Sequence, residues 1–388
     1  MRGVLLLSWK HLCFHRARSL ILIASIAVSF FLPLLTRALV ERYQTVLRSR
    51  AKESPLVAGA KGNRFDLTLA TLYFRDSELE TIPFSEYEKI RDAGFGVAIP
   101  LNLRFKARGY PIVACGAEYF EKRGLGCDRG HLPFRIGQCV LGATVAEDLD
   151  LGPGDYLFSD QPELYDITKP PALKMSVLGT LARSGGPDDG AVFVGIKTAW
   201  ILEGIAHGHR GDEEIDPKLI LSEDDNNVAI SAAMVEHNEV TDENIASFHY
   251  HGSTEGLPLS SVLVFPRDEK SRTLVKARLN ASRLYQMVVP TDVVEDLLSF
   301  VFKIKALLDL VAAILAATTL LLIVLVLMLS LKMRAREIEA LNRIGCSRFR
   351  VLQLYAVEIA ILVAASAALA AAAMMLTLSF LPDLTRAL

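Results

Sequence analysis

Three long runs almost free of charge constrain this chain more than anything else in it. Residues 20–36 (LILIASIAVSFFLPLLT) carry no charged side chain, and extending the run to Leu39 gives about 20 residues, enough for roughly 30 Å of hydrocarbon. Residues 306–331 (ALLDLVAAILAATTLLLIVLVLMLSL) contain one charge, Asp309, and residues 359–381 (IAILVAASAALAAAAMMLTLSFL) contain none. Segments of this length and composition cross a bilayer as helices, because a helix satisfies its own backbone polar groups where no water is present. For the first run the alternative is a cleaved signal peptide. Its apolar stretch is longer than a signal core, and basic Arg37 and Arg42 follow it where an A-x-A site would be needed.

The averages agree with a chain made of two materials. A mean hydropathy of +0.32 is high for a soluble protein, whereas 22% charged residues is high for one wholly embedded in lipid. Forty-two Lys+Arg balance 44 Asp+Glu, which argues against nucleic acid as a partner. Five cysteines in 388 residues exclude a disulfide-built scaffold. Cys115, Cys127 and Cys139 are compatible either with one disulfide and one leftover thiol or with unpaired buried thiols.

Between the first and second runs lies a segment of ordinary soluble composition. Pro111–Cys115, Lys174–Leu178 and Ser261–Phe265 read as strands punctuated by Gly and Pro, and Ser85–Ala93 and Thr144–Leu151 read as short amphipathic helices. The expected fold class is therefore an α-helical transmembrane bundle of three spans with a large extracytoplasmic α+β domain in two lobes. Residues 1–42 hold the N-terminus and first span, 43–298 the α+β domain, and 299–388 the membrane domain. The latter has spans at about 306–331 and 359–381 and a cytoplasmic loop over 332–356. Orientation follows the basic residues near the spans: Lys332, Arg334, Arg336, Arg343, Arg348 and Arg350 place the loop in the cytoplasm, and Arg2, Lys10, Arg16 and Arg18 place the N-terminus beside it.

Residues 334–358 (RAREIEALNRIGCSRFRVLQLYAVE) resemble the signature of FtsX-like ABC transporter permeases, R-x-R-E-I-x-x-L-R-A-x-G-A-S followed by a Glu entering the next span. The matching positions are Arg334, Arg336, Glu337, Ile338, Leu341, Arg343, Ile344, Gly345, Ser347 and Glu358, with Cys346 where the family usually has Ala. Residues 141–156 (LGATVAEDLDLGPGDY) and 178–194 (LGTLARSGGPDDGAVFV) are similar to stretches of MacB- and LolC-like periplasmic core domains. The resemblance implies a permease subunit in the inner membrane that moves with a separate cytoplasmic ABC ATPase, pairs with itself or a related permease, and has no catalytic residues of its own. It assigns ATPase coupling to Arg334, Arg336, Glu337, Leu341, Gly345, Ser347 and Glu358. The family pattern has four spans against three here: either a fourth follows beyond Leu388, which is the expectation, or this is a short variant whose C-terminus is external.

The residues of the loop support the same idea without the family. Ile338, Leu341 and Ile344, then Phe349, Leu352 and Tyr355, suggest two short amphipathic pieces broken at Gly345, with Ser347 placed to cap the second. Such an elbow suits a groove on an ATPase; the alternative is a basic loop resting on anionic headgroups. ATP itself belongs to a partner chain, because no Gly-Lys dipeptide occurs and no phosphate-cradling G-x-x-x-x-G-K-[ST] loop is possible. Val40–Ala51 and Thr291–Lys305 read as helical stalks prolonging the first and second spans, the latter N-capped by Thr291 or Asp292. Gly185–Asp189 (GGPDD) reads as a turn without chemistry.

Histidines cluster in one stretch of the α+β domain. His207, His209, His237, His249 and His251 lie among carboxylates such as Asp212, Glu213, Glu236 and Glu239, a mixture that suits Zn²⁺. A polar solvated excursion explains the same residues, and the absence of H-E-x-x-H argues against hydrolysis. Two functions are therefore open: an ABC permease subunit, or a metal-binding or signalling membrane protein whose outer domain senses.

Overall fold

The computed structural model describes residues 2–132, 135–161, 172–208, 220–224, 227–230, 239–250, 254–333 and 348–386. It divides into a helical unit (residues 1–45 and 298–388) and an α+β unit (residues 46–297).

In the helical unit, α1 (Arg2–Phe14) and α2 (Arg16–Lys52) follow one another with only His15 between them. Two further long helices cover Pro290–Met333 and Arg348–Arg386. Among the described residues, three helices are long and apolar enough to cross a membrane, within Arg16–Lys52, Pro290–Leu325 and Gln353–Thr377. The expected run 20–39 lies within the first. The runs 306–331 and 359–381 overlap the other two and run on past Leu325 and Thr377 within the helices Pro290–Met333 and Arg348–Arg386. The residues expected to form stalks belong to α2 and to the helix from Pro290 without a break. The second long helix begins at Pro290, one residue ahead of the expected cap at Thr291 or Asp292. Proline suits a first helical position, where no amide hydrogen is needed. Inside α2, Pro33 leaves the Ser29 carbonyl without its helical donor. The Ser29 hydroxyl bonds back to the Ser25 carbonyl at 3.0 Å and meets the Thr319 hydroxyl at 2.8 Å. Helix α1 was not expected; its apolar residues are too few to span a bilayer.

The α+β unit is built on one mixed sheet. Its strands are β1 (Leu56–Ala60), β2 (Gly96–Ala107), β3 (Tyr110–Cys115), β4 (Cys127–Gly130), β5 (Gln138–Leu141), β6 (Tyr156–Phe158), β7 (Lys174–Leu181), β8 (Val192–Gly195), β9 (Ser261–Pro266) and β10 (Tyr285–Val288). They run in the order β10-β1-β9-β2-β3-β8-β5-β7-β4, with β6 also pairing β7. Neighbours are antiparallel except β3–β8 and β5–β7.

Two hydrophobic clusters sit on this sheet. One gathers Leu56, Ala58, Ile82, Val262, Val264, Val275 and Met287, and the other Ile112, Leu141, Val145, Met175, Val192, Val194 and Trp200. Two lobes were expected, but they share a sheet because β2 is long enough to serve both. Its first half pairs with β9 through Gly96–Leu101, and its second half pairs with β3 as far as Ala107, across a register shift between Asn102 and Phe105. A shift of this kind bends the strand and lets one sheet turn between two cores.

The helices of this unit are α3 (Arg64–Tyr73), α4 (Phe84–Asp92), α5 (Glu118–Arg123), α6 (Ala143–Leu149), α7 (Ile196–Leu202) and α8 (Glu269–Asn280). The expected helices correspond to α4 and α6, within a residue or two at each end. Of the two cysteine alternatives, the disulfide is not formed: Cys115, Cys127 and Cys139 are free thiols. Burial raises all three thiols above their ordinary range, Cys139 to about 12, so none is poised as a nucleophile.

Candidate functional site

Of the residues expected to couple to an ATPase, Arg334, Arg336, Glu337, Leu341, Gly345 and Ser347 lie outside the described residues. Glu358 is described, ten residues into the last helix and 3% exposed. Its Oε1 lies 3.0 Å from His11 Nδ1 on α1 and accepts from Arg18 Nη2 on α2 at 3.2 Å.

Among the histidines, His209, His237 and His251 also lie outside the described residues. His207 and His249 stand on two short antiparallel strands, Ala206–Gly208 and Phe248–Tyr250, where they are direct register partners. That pairing crosses 42 residues of sequence, and spacing alone did not reveal it. Among the described residues no group of three or more His, Cys, Asp or Glu side chains is arranged to hold a metal ion.

The most developed polar constellation in the α+β unit was missed at the sequence level. The last turns of α2 turn Leu47 and Ala51 inward, both buried at the helical spacing of four, and Ser54, just past the helix end, is buried too. Arg50 falls on the same face and is 6% exposed. Its guanidinium meets Asp188 in a two-pronged bond, Nη1 to Oδ2 at 2.7 Å and Nη2 to Oδ1 at 2.8 Å. Nη2 also donates to the Tyr119 hydroxyl at 2.8 Å, and Nε donates to the Leu72 carbonyl at 3.1 Å. Tyr119 in turn donates to Asp188 Oδ1 at 2.6 Å. Two elements far apart in sequence, α2 and α5, thus close on one carboxylate that is 2% exposed.

Burial and neighbouring charges act together on Arg50 and Tyr119. Burial pulls the Arg50 guanidinium down, but Tyr119 and Asp188 beside it more than reverse this and leave it above its ordinary value. Burial drives the Tyr119 hydroxyl far up, so it remains a phenol able to donate. Arg123 packs over the Tyr119 ring at 5.7 Å and donates from Nη2 to the Ser54 hydroxyl at 2.7 Å. Burial, and then the neighbouring Arg50 charge, lower its guanidinium from the ordinary value.

The loop that presents Asp188 is itself tightly held. Asp189, expected only to make a turn, accepts at Oδ1 from the Ser184 amide at 2.7 Å and at Oδ2 from the Gly185 amide at 2.7 Å. Gly185 adopts φ +72°, a conformation that a side chain would strain. The single turn Pro187–Gly190 then delivers Asp188 to Arg50. Nearby, Arg48 pairs with Glu295 through two bonds of 3.0 and 3.1 Å, and Arg64 with Asp296 at 2.8 Å, on exposed surface where such pairs contribute under about 1 kcal/mol. The buried cluster therefore fixes the end of α2 and the exposed pairs only decorate it. A legible signal existed: Arg50 lies three residues after Leu47, in phase with the buried face. Nothing local singled out its partner, 138 residues away.

No protein-family model matches this chain, and no curated protein matches it in sequence. Among solved structures it is similar to the periplasmic region of MacB from Actinobacillus actinomycetemcomitans, with a TM-score of 0.37 at 10% identity over 65% of this chain and 97% of that one. It is also similar to the extracellular domain of the noncanonic ABC-type transporter YknZ from Gram-positive bacteria, with a TM-score of 0.33 at 10% identity over 60% of this chain and 98% of that one.

Proposed function

We propose that this chain is the membrane subunit of an ABC transporter of the FtsX-like, MacB/LolC kind. The observation that carries the reading is the order of parts. One candidate span precedes a large α+β unit, two more follow it, and the R-x-R-E-I segment with Gly345 and Ser347 falls between those two. In this reading the α+β unit lies outside the cytoplasm at the inner membrane, and residues 332–356 face a separate cytoplasmic ATPase. Two such permease chains, identical or related, form the translocation unit, because three or four spans are too few alone. ATP-driven closure of the ATPase shifts the loop, and α2, whose length Arg16–Lys52 includes both the first span and Arg50, carries the shift into the α+β unit. Cargo is then extracted or expelled at the outer face without an enzymatic step in this chain.

The test is whether an ABC ATPase is encoded beside this chain and co-purifies with it, followed by ATPase assays of the pair in lipid nanodiscs. Wild-type chain should stimulate hydrolysis. Gly345→Pro and Glu337→Lys should each abolish stimulation while the α+β unit stays folded. Normal stimulation in both variants would sink the coupling role.

A second reading, Zn²⁺-linked sensing, draws on the register pairing of His207 with His249. Directly opposed residues of an antiparallel pair lie on one face, as two ligands of one ion must. Calorimetric titration of the full chain with zinc chloride should show binding that disappears when His207, His209, His249 and His251 are all replaced by Ala. Equal affinity in that variant would end the metal reading and leave the permease reading intact.

A further inference from the structure

Helix α1 packs inside out by the standard of a soluble protein. Leu5, Leu6, Leu7, Trp9 and Phe14 are each more than half exposed, while Ser8 is fully buried and the side chain of His11 nearly so. The Ser8 hydroxyl donates to the Leu354 carbonyl at 3.1 Å, and one turn on, His11 Nδ1 meets Glu358 at 3.0 Å. Leu12 then closes the contact with Leu22 and Leu362. Positions 8, 11 and 12 of α1 thus oppose 354, 358 and 362 of the last helix, turn against turn.

A helix apolar on most sides gains little from turning any one apolar face inward when lipid surrounds it, because lipid tails and protein interior are alike to a leucine. Burial alone therefore does not choose its rotation. A buried carboxylate does, since its cost in an apolar setting is offset only by partners in the right place. Glu358 lies within the candidate span Gln353–Thr377. It has Arg18 from α2 on the same oxygen as His11, and its Oε2 is buried without a hydrogen bond among the described residues.

We infer that Glu358 is a positioning residue: through His11 and Arg18 it fixes the rotation of the short N-terminal helix α1 against α2 and the last helix, leaving the apolar face of α1 to lipid. This goes beyond the permease reading and does not rest on it. If the chain does move with an ATPase, α1 moves as part of the same rigid foot.

The test is hydrogen–deuterium exchange by mass spectrometry on the full chain in phosphatidylcholine–phosphatidylglycerol nanodiscs. Glu358→Ala should accelerate exchange of the 3–14 amides by about tenfold or more, the size expected when one coupled buried contact is lost. Peptides of the α+β unit should be unchanged. His11→Leu, which removes the same contact from the α1 side without orphaning Glu358 from Arg18, should also accelerate exchange in α1, and the double variant should add nothing to Glu358→Ala. Unchanged exchange in α1 in His11→Leu, a rise spread evenly over all peptides, or additive effects would each overturn the assignment. Should Glu358→Ala not accumulate, His11→Leu alone decides it.

Discussion

Replacing Asp188 by Ala is expected to lower the unfolding free energy of the α+β unit by about 3–5 kcal/mol, the usual cost of breaking a buried ion pair from one side. The loss is large because the alanine leaves Arg50 charged, 6% exposed and without a counter-ion, and strips the Tyr119 hydroxyl of its acceptor. Arg50→Lys should recover little of what Arg50→Ala loses, since an ammonium cannot reproduce the two parallel bonds to Asp188 and the further ones to Tyr119 and Leu72. Removing all three members together, as Arg50→Met, Tyr119→Phe and Asp188→Leu, should be much milder than Asp188→Ala alone, because no buried charge is then orphaned. The measurement is urea unfolding of the full chain in detergent, followed through buried Trp200 with Trp9, the only other tryptophan, changed to Phe. A loss below about 1 kcal/mol for Asp188→Ala would mean that water reaches the cluster and that it behaves as a surface pair.

The same variant bears on function. A joint that transmits displacement must be stiffer than the segment that drives it, and a fully bonded buried network is stiff because every partner is over-determined. Exposed pairs such as Arg48–Glu295 exchange with water and do not hold a position under load. In the proposed transporter, Asp188→Ala should therefore weaken transport even where the α+β unit remains folded.

The parts legible in the sequence are those whose signal is local. Runs almost free of charge located the three candidate spans among the described residues, since a span must be predominantly apolar along its length. Alternation and Gly/Pro punctuation located β3, β7 and β9, and the helical pattern located α4 and α6. What escaped was set by contacts between distant residues. That Asp188 would be buried depends on α2 and α5 meeting over it, and GGPDD by itself has the composition of any surface turn. Helix α1 escaped for another reason: its buried face is its polar one, so hydropathy pointed the wrong way. Two histidines in register across 42 residues are likewise a product of the fold, not of spacing.

Gly142→Ala is expected to destabilise the α+β unit by about 3 kcal/mol or more, at the upper end for overpacking. Its backbone is ordinary, with φ −63°, so the cause is space and not conformation. A Cβ there would lie 2.3 Å from the Asp188 carbonyl oxygen and 2.4 Å from that of Asp189, main-chain atoms that no side-chain rotation can withdraw. The Gly142 amide is also tied to the Ala191 carbonyl at 2.8 Å, so the start of α6 and the loop carrying Asp188 are held at contact distance. Relief requires the loop to back away, and the loop holds the carboxylate that Arg50 needs. The substitution should thus act as a weaker version of Asp188→Ala, and in Asp188→Ala its added cost should fall, because the loop no longer has a bond to defend. Gly190→Ala is the control: it ends the same turn, has no atom within 4 Å of its would-be Cβ, and should change stability by less than about 0.5 kcal/mol. If Gly142→Ala proves as harmless as Gly190→Ala under the same urea titration, the close approach does not exist in solution. If its cost is undiminished beside Asp188→Ala, the loop is held by something other than the Arg50 joint.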